Sequence, residues 1–272
     1  MITQNLHMHS TWDDGKSTAE EMILASQAAG LSSVGLSVHC PMPFANEWEC
    51  PREKLPDYIA EVRALQAKYA GVIDVYLGVE WDVSAQDMDL SPYDYVIGSV
   101  HQLPLSGYPS VDSCAEETAR YLREHFGGDA DAAAEMYFAE YAKVAANAKV
   151  DIVGHLDLIT KFDEQHHFFQ PESGRYRSAA LGAMEKLVKA GKIFEVNTGA
   201  ISRGYRTTPY PSRELLSALR EMGGKVTVSA DAHHVSGVAC AFEQAEALVR
   251  DCGFREIWVL EGKRFMPAAL QD

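Results

Sequence analysis

The sequence predicts an α/β protein in which parallel strands close into a barrel. Short apolar runs alternate with stretches of helical spacing along the 272 residues, and seven or eight such repeats are typical of a closed barrel. A histidine or an acidic residue follows almost every run, as at the mouth of a barrel where the carboxyl ends of the strands meet. Because no linker or internal repeat divides the chain, we expect one barrel domain over residues 1–272.

Seven short runs rich in apolar or β-branched residues are predicted as strands, because Gly, Pro or polar residues bound each of them. In chain order they cover residues 2–6, 33–38, 72–79, 93–100, 151–153, 193–196 and 226–229. An eighth run at residues 254–260 either closes the barrel or lies outside it.

Helices are predicted between these strands, at residues 18–30, 56–69, 131–148, 178–190, 212–222 and 239–252. The first has the clearest boundaries. Ser17 or Thr18 can cap its amino end with Glu21 near the third position, and Gly30 ends it.

Two segments are longer than a minimal connection between a strand and a helix. The first covers residues 102–129, and the second, at residues 159–177, contains the aromatic and imidazole run His166-His167-Phe168-Phe169. Long loops on a barrel often shape or cover the substrate pocket. The second loop could therefore cover an imidazole-bearing substrate, although a loop packed on its own side chains is the simpler alternative.

The charge balance excludes one class of partner. The formal net charge is −15, with 47% hydrophobic and 23% charged residues, a composition typical of a globular protein. Proteins that bind nucleic-acid polymers neutralise phosphates with Lys and Arg over a broad surface. We therefore expect a small-molecule substrate and no nucleic-acid polymer as partner, and the sequence gives no oligomeric state.

We expect a cytoplasmic protein with reduced thiols and no membrane partner. The five cysteines are odd in number, widely spaced and never arranged as CxxC, which disfavours a disulfide framework. The first ten residues lack the features of a secretory signal. The longest uncharged stretch contains serines, prolines and a histidine, so it does not resemble a membrane span.

Six of the ten histidines share one predicted position, the carboxyl end of a strand. One acidic residue, Glu80, follows the third strand in the same way, and Asp231 accompanies the last of these histidines. A lone histidine at such a place is usually structural. Eight such groups at one barrel mouth would each need a polar partner, at about 1–3 kcal/mol for each one left unsatisfied. The eight are His7, His9, His39, Glu80, His101, His155, Asp231 and His233.

A metal centre explains this set, because imidazole and carboxylate are ligands that suit Zn, Mn and Fe. His7 and His9 stand two residues apart, so in an extended segment they point to the same side and can bind one ion together. Asp231 and His233 repeat that spacing. Eight or nine ligands exceed the need of one ion, so we expect two or three divalent metal ions with a carboxylate such as Glu80 bridging a pair.

The motifs HMHSTWDDG, SVH, GVEWD, GSVH, GHLD and SADAH resemble those of the PHP (polymerase and histidinol phosphatase) superfamily in order and spacing. The resemblance covers essentially the whole chain. It implies a distorted (β/α)7 TIM-like barrel with a trinuclear metal centre. One departure is at the second motif, where relatives often read TDH and this chain has Ser37 and Val38 before His39.

The resemblance also implies how the ligands are shared among three ions. His7, His9, Glu80 and Asp231 match the first position, and Glu80 bridges to a second position with His101 and His155. The third position has His39 and His233, completed by a residue soon after the HxH motif. Asp14 is the preferred residue there, and Asp13 is the alternative.

Within the superfamily the chain looks most like the monofunctional histidinol-phosphate phosphatases, through GSVHQLPL, FGGDADAAAEMYFAEYAKV, GHLDLITKF and EVNTGAISRG. That resemblance places Arg203 near the basic residue that binds phosphate in such enzymes. Lys161 and Arg206 are weaker candidates, and each of the three could instead be a solvated surface cation.

The function predicted is therefore a metal-dependent phosphomonoesterase that hydrolyses L-histidinol phosphate by attack of a metal-activated hydroxide. Arg203 is expected to stabilise the phosphoryl oxygens, and Asp231 or His233 to pass a proton to the leaving group. Two alternatives stay open. One is a PHP phosphoesterase for another small ester, a nucleotide or a sugar phosphate, and the other is a non-catalytic PHP binding module.

Overall fold

A computed structural model describes residues 1–85 and 87–270. Seven strands form one parallel sheet in the sequence order β1 to β7. They are β1 (Gln4–Asn5), β2 (Ser33–His39), β3 (Asp74–Asp82), β4 (Tyr95–Ser99), β5 (Ile152–Val153), β6 (Ile193–Asn197) and β7 (Lys225–Ser229). Just beyond β1 and β7, Met8 pairs with Ala232 in parallel. The sheet is therefore a nearly closed barrel, which confirms the predicted fold class.

Helices connect the strands and cover the outside of the barrel. They are α1 (Ala19–Ala28), α2 (Leu55–Lys68), α3 (Ala115–Phe126), α4 (Ala130–Val144), α5 (Asp163–His166), α6 (Gly174–Lys189), α7 (Gly199–Ser202), α8 (Arg213–Glu221) and α9 (Phe242–Asp251). Short 3-10 helices cover Arg52–Lys54, Leu158–Thr160 and Val235–Gly237. The capping prediction for α1 is confirmed, with Thr18 as the N-cap and Glu21 bonding back to it.

Helix α3 was not predicted, because residues 115–126 lack a wide apolar stripe. Only Thr118, Tyr121 and Leu122 of this helix are buried, so its pattern is hard to distinguish from a polar loop. Other boundaries also differ from the prediction, and the largest differences are at α4 and α6. Helix α4 ends at Val144 rather than 148, and α6 begins four residues early, because the Ser173 side chain caps its amino end by accepting from the amide of Tyr176.

The eighth predicted strand lies outside the barrel sheet. Strand β8 (Glu256–Glu261) pairs antiparallel with β9 (Arg264–Ala269), which was not predicted. The Gln4 side chain joins this hairpin to β1, donating to the carbonyl of Leu260 at 2.9 Å and accepting from its amide at 2.8 Å. Leu260 is thereby buried against Leu6 and Tyr95.

Inside the barrel, Tyr95 of β4 reaches across to the carbonyl of Leu6, to which its hydroxyl donates. Its ring passes over Gly35 and Gly78, where any Cβ would overlap the ring. The two glycines therefore make room for a buried aromatic side chain in the lower half of the barrel, and the polar groups gather above it. Among the described residues no helix is both long and apolar enough to cross a membrane.

The long loop after β5 packs on its own side chains. His166 and His167 are exposed, and Phe169 is buried. The Asp163 carboxylate accepts hydrogen bonds from the amides of Phe168 and Phe169 at 3.2 and 3.3 Å, but its second oxygen is buried with no hydrogen-bond partner among the described residues. Burial raises the pKa of Asp163 to about 6.

This raised pKa predicts how stability depends on pH. Between about pH 4 and pH 6 the folded protein keeps a proton on Asp163 that the unfolded chain has lost, so the free energy of unfolding falls as pH rises through that window. We expect Asp163→Asn to be as stable as the unmutated protein near pH 4 and more stable at pH 7, by roughly 1–3 kcal/mol. Urea unfolding at a series of pH values measures this. Glu172→Gln, an exposed charge of the same loop, is the control, and a less stable Asp163→Asn at pH 7 would contradict the assignment.

Candidate metal centre

The predicted ligands meet at one end of the barrel because the chain pairs β1 with β7 just beyond their last residues. The amide of His9 donates to the carbonyl of Ala232 at 2.9 Å, and the amide of Ala232 donates to the carbonyl of His7 at 3.2 Å. This pairing sets His7 and His9 beside Asp231 and His233, more than 220 residues away in sequence. Asp231 has a left-handed backbone (φ 47°), a conformation that Asp adopts more readily than most residues.

The Glu80 carboxylate lies at the middle of the group and is 1% exposed. Five imidazole nitrogens lie within 3.5 Å of one of its oxygens. The distances to a Glu80 oxygen are 2.9 Å from His39, 3.0 Å from His155, 3.2 Å from His7, 3.3 Å from His101 and 3.5 Å from His9. One acidic residue therefore contacts ligands that follow four different strands.

Four sets of ligand atoms lie close enough together for each to hold an ion. They are His7 with His9 and Asp231; His7 with Glu80 and His155; His39 with Glu80 and His101; and His9 with Asp14, His39 and His233. All nine predicted ligands appear in these sets. The grouping differs in detail from the sharing implied by the resemblance, since His7, His9 and His39 each belong to two sets.

The structure distinguishes Asp14 from Asp13 as the candidate ligand of the third position. Asp14 points to the third predicted position, with an oxygen 3.2 Å from His233 Nε2 and 3.8 Å from His39 Nε2. Asp13 instead accepts from His9 Nδ1 at 2.7 Å and from the amides of Ser10 and His39 at 3.0 Å. The geometry favours Asp14 as the ligand and gives Asp13 a supporting contact behind His9.

The charges of the group are strongly coupled. Burial disfavours a charged imidazole, but the carboxylates of Glu195, Glu80 and Asp231 outweigh it and raise the pKa of His7 well above its usual value. Burial likewise opposes ionisation of Glu80, yet the surrounding imidazoles hold its pKa well below the usual range. Protons therefore compete for the atoms that a cation would use, so metal binding should weaken as pH falls.

Unpaired atoms at the centre support a metal rather than a structural network. His7 Nε2, His9 Nε2, one oxygen of Asp14 and one oxygen of Glu80 are buried and have no hydrogen-bond partner among the described residues. Buried polar atoms normally find partners. The two imidazole nitrogens lie within 3.5 Å of a Glu80 oxygen, and Asp14 belongs to the same ligand set as His9. These nitrogen and oxygen donors suit zinc, manganese or iron. The residues present fit a divalent metal centre.

Several ligands are held by buried partners that the sequence interpretation missed. Asp82 accepts from the backbone amide of His101 at 2.8 Å and lies 3.2 Å from its Nδ1. The Tyr141 hydroxyl lies 3.4 Å from His155 Nδ1. Glu195, in the middle of β6, lies 2.6 Å from His7 Nδ1. A signal for Glu195 was present in the sequence, since a carboxylate inside an apolar strand requires a buried partner.

A cavity of about 380 Å³ opens onto the ligands. The long loop after β4 contributes Gln102 and Asp112 to its wall, as the sequence predicts for a loop that shapes the pocket, and Trp48 forms another part. Of the loop after β5, Lys161 lines this cavity. The run His166–Phe169 does not, so its predicted role as a cover is not seen and the packed-loop alternative describes it.

The structure distinguishes the three predicted phosphate-binding cations. Arg203 lines the cavity and donates to an Asp231 oxygen at 3.0 Å and to His233 Nδ1 at 3.0 Å. A Cβ on Gly199 would lie 2.8 Å from Asp231 and 3.0 Å from Arg203, so only glycine permits this close approach. Lys161 also lines the cavity, but its ammonium is bonded to Asp112.

Arg206 faces a different cleft, where it bonds to Thr160. It does not line the cavity beside the ligands.

Comparison with known proteins places these features in a family context. The sequence profile of the PHP domain matches residues 5–199. A protein of Deinococcus radiodurans named "probable histidinol-phosphatase" is 32% identical over 255 residues, covering 88% of this chain and 89% of that protein. The histidinol-phosphatase of Bacillus subtilis is 26% identical over 256 residues, covering 86% of this chain and 92% of its own length.

A solved structure shares the fold. Histidinol phosphate phosphatase from Lactococcus lactis subsp. lactis, in complex with zinc, L-histidinol and phosphate, matches with a TM-score of 0.75 and covers 97% of this chain and 98% of that chain. The two are 22% identical, so this likeness supports the barrel fold and no more.

The geometry predicts that His101→Ala loses metal. This imidazole is 3.3 Å from Glu80 and belongs to one of the four ligand sets, so its removal should weaken metal binding by more than about tenfold, the lower limit even for an outer-shell partner. Elemental analysis of protein equilibrated with zinc or manganese measures the metal per chain. His125→Ala, an exposed residue of α3, is the control. An unchanged metal content in His101→Ala would show that this histidine is not a ligand.

Proposed function

The chain belongs to the PHP domain family, and on that premise we propose that it is a histidinol-phosphatase that hydrolyses L-histidinol phosphate to L-histidinol and phosphate. The observation that carries the proposal is the convergence of nine metal-ligand candidates, seven of which line one cavity together with three cationic side chains, Lys16, Lys161 and Arg203. The substrate is supported by the names of the relatives that match nearly the whole chain.

We propose that two or three divalent ions occupy the centre. Zinc, manganese and iron all suit the donors. The proposed ligands are His7, His9, Asp14, His39, Glu80, His101, His155, Asp231 and His233. Ions bound there would act as Lewis acids, lowering the pKa of water and withdrawing charge from phosphoryl oxygens.

Arg203 is proposed to hold the phosphate and to offset the charge that develops on its oxygens. Of the two predicted phosphate-binding cations that line the cavity, it is the better candidate. Lys161 is already neutralised by Asp112, whose pKa is held low by the nearby lysine against the effect of burial. Arg203 carries one buried nitrogen, Nε, with no partner among the described residues, so it has capacity for a further acceptor. Lys161 would then give secondary support.

The proton transfers are proposed to use Asp231 and His233. Burial opposes the charged carboxylate, but Arg203 and His7 hold the pKa of Asp231 well below its usual range. Burial, and then the nearby His9, lowers the pKa of His233. Both groups are therefore unprotonated at neutral pH. Either one can first accept a proton from the attacking water and then return it to the departing oxygen of the alcohol.

Of the two alternatives, the binding module conflicts with an observation and the other small ester needs a direct test. A net charge of −15 disfavours long nucleic acids but not a mononucleotide or sugar phosphate, so substrate choice needs a direct test. A non-catalytic module has no reason to retain a complete ligand set, and all nine candidates are gathered here. We also propose one domain over residues 1–272. A cytoplasmic location is proposed because all five cysteines are unpaired, as is usual in a reducing compartment.

A substrate panel tests the proposed activity. We expect kcat/KM for L-histidinol phosphate to exceed that for AMP, glucose 6-phosphate and phosphoserine by at least about 100-fold, because polar groups placed for one substrate are left unpaired by the others. Activity should disappear on chelation and return when zinc or manganese is added.

Three outcomes contradict separate parts of the proposal. Preference for another ester would make the substrate wrong. Full activity in metal-stripped protein would make the metal chemistry wrong. Metal-loaded protein inactive on every ester would favour the binding module.

Replacing Arg203 tests the phosphate assignment. Arg203→Met should lower kcat/KM by about 10- to 100-fold, because a charge-assisted hydrogen bond is lost, and Lys161→Met should have a smaller effect because its charge is already paired. Steady-state kinetics measure this, with metal content determined in parallel since Arg203 touches two proposed ligands. Arg123→Met, an exposed cation of α3, is the control. Unchanged kinetics in Arg203→Met would remove this residue from the phosphate site.

A further inference from the structure

Glu195 is a buried carboxylate that ligates nothing in the proposed centre. It is the third residue of β6, its neighbours Phe194 and Val196 are fully buried, and its own side chain has no exposed surface. Burying an ionised carboxylate costs several kcal/mol unless it is paired and hydrogen-bonded. The position therefore needs an explanation beyond packing.

Each carboxylate oxygen of Glu195 contacts a residue at the proposed metal centre. One oxygen lies 2.6 Å from His7 Nδ1, and the other accepts from the backbone amide of His155 at 2.9 Å and from the side-chain amide of Asn197 at 2.8 Å. The carboxylate therefore accepts three hydrogen bonds, two of them from groups of the proposed ligands His7 and His155.

The contact with His7 determines which ring nitrogen is free. A carboxylate at 2.6 Å from Nδ1 requires the proton to lie on that nitrogen. Nε2 then presents its lone pair to the centre, where it is 3.2 Å from Glu80 and 3.7 Å from Asp231. This is the tautomer and the orientation that a metal ligand needs.

The other two contacts reach different parts of the centre. The amide of His155 follows β5, so Glu195 holds the backbone of a ligand on the neighbouring strand. Asn197 Nδ2 also lies 3.4 Å from an Asp231 oxygen. Strands β5 and β6 are already paired through Ile152 and Ile193 and through Val153 and Phe194, so sheet formation does not need the carboxylate.

We propose that Glu195 is a positioning residue that fixes His7 and His155 against Glu80, so that two ligand sets form together. This inference rests on the metal centre of the proposed function. Asp82 contacts one ligand, His101, through its ring and its backbone amide, whereas Asp13 also joins two ligands, the His9 imidazole and the backbone amide of His39. Glu195 joins ligands that follow two different strands, β1 and β5.

The test is metal affinity in Glu195→Gln. The amide has the same shape and its oxygen can still accept from His7, but the negative charge is lost and its NH2 group faces the amide of His155. Titration of metal-stripped protein with zinc, in competition with a chromophoric chelator, should show a dissociation constant raised by about 10- to 100-fold. Turnover should be low at limiting zinc and should recover most of its kcat with excess zinc.

The matched control is Glu140→Gln. Glu140 is a largely buried glutamate of α4 that pairs with Lys143, so it tests the loss of a buried carboxylate elsewhere in the chain. It should leave zinc affinity within about twofold of the unmutated protein. If Glu195→Gln lowers only the thermal stability of the metal-free protein and leaves zinc affinity unchanged, the role is structural and the proposal is wrong.

If Glu195→Gln does not fold, a second measurement tests the proposed positioning role. In zinc-loaded, unmutated protein with 15N-labelled imidazoles, NMR should find His7 protonated at Nδ1 with a strongly downfield proton. Protonation at Nε2 instead would overturn the proposal. The zinc titration and the NMR measurement use no substrate, so an error in the assigned ester does not affect this proposal. Unmutated protein that binds no zinc would instead contradict the metal centre of the proposed function.

Discussion

The Glu80 carboxylate is the point on which the rest of the site depends. It ends up among five imidazoles only because the barrel curves enough to bring the ends of β1, β2, β4 and β5 around the end of β3. The register between β2 and β3 pairs His39 directly with Glu80, and the meeting of Met8 with Ala232 completes the circle. Closure of the sheet therefore also assembles the ligands, because the same backbone pairing positions their side chains.

Much of this could be predicted from the sequence because the relevant signals are local. Apolar runs mark strands, and a polar residue directly after a run marks the mouth of a parallel barrel. His39, His101 and His155 all follow that rule in the structure. The prediction of unpaired cysteines rested on their number and spacing in the sequence. The capping of α1 was also a local signal, because Thr18 and Glu21 are three residues apart. The choice of Asp14 over Asp13 was not local, because it depends on His39 and His233.

The features that could not be predicted depend on long-range contacts or weak patterns. Glu195 and His7 are 188 residues apart, and no spacing rule connects them. Helix α3 has only three buried residues, so its periodicity is faint. Strand β9 contains mostly exposed side chains and a proline, features that weaken a strand prediction. Arg203 and Arg206 are three residues apart in sequence, yet they line different clefts and bond to different partners.

The pairing of Met8 with Ala232 also constrains the order in which the molecule can form. His7 and Asp231 enclose between them nearly all of the barrel, so the loop that must close is long and its contacts are non-local. A growing chain that has emerged only as far as β5 already contains His7, Glu80 and His155, yet it lacks the strand that completes the ring. These ligands therefore lack Asp231 and His233, which follow β7, until almost the whole barrel has been synthesised. A premature capture of metal by such a fragment is limited to part of the ligand set.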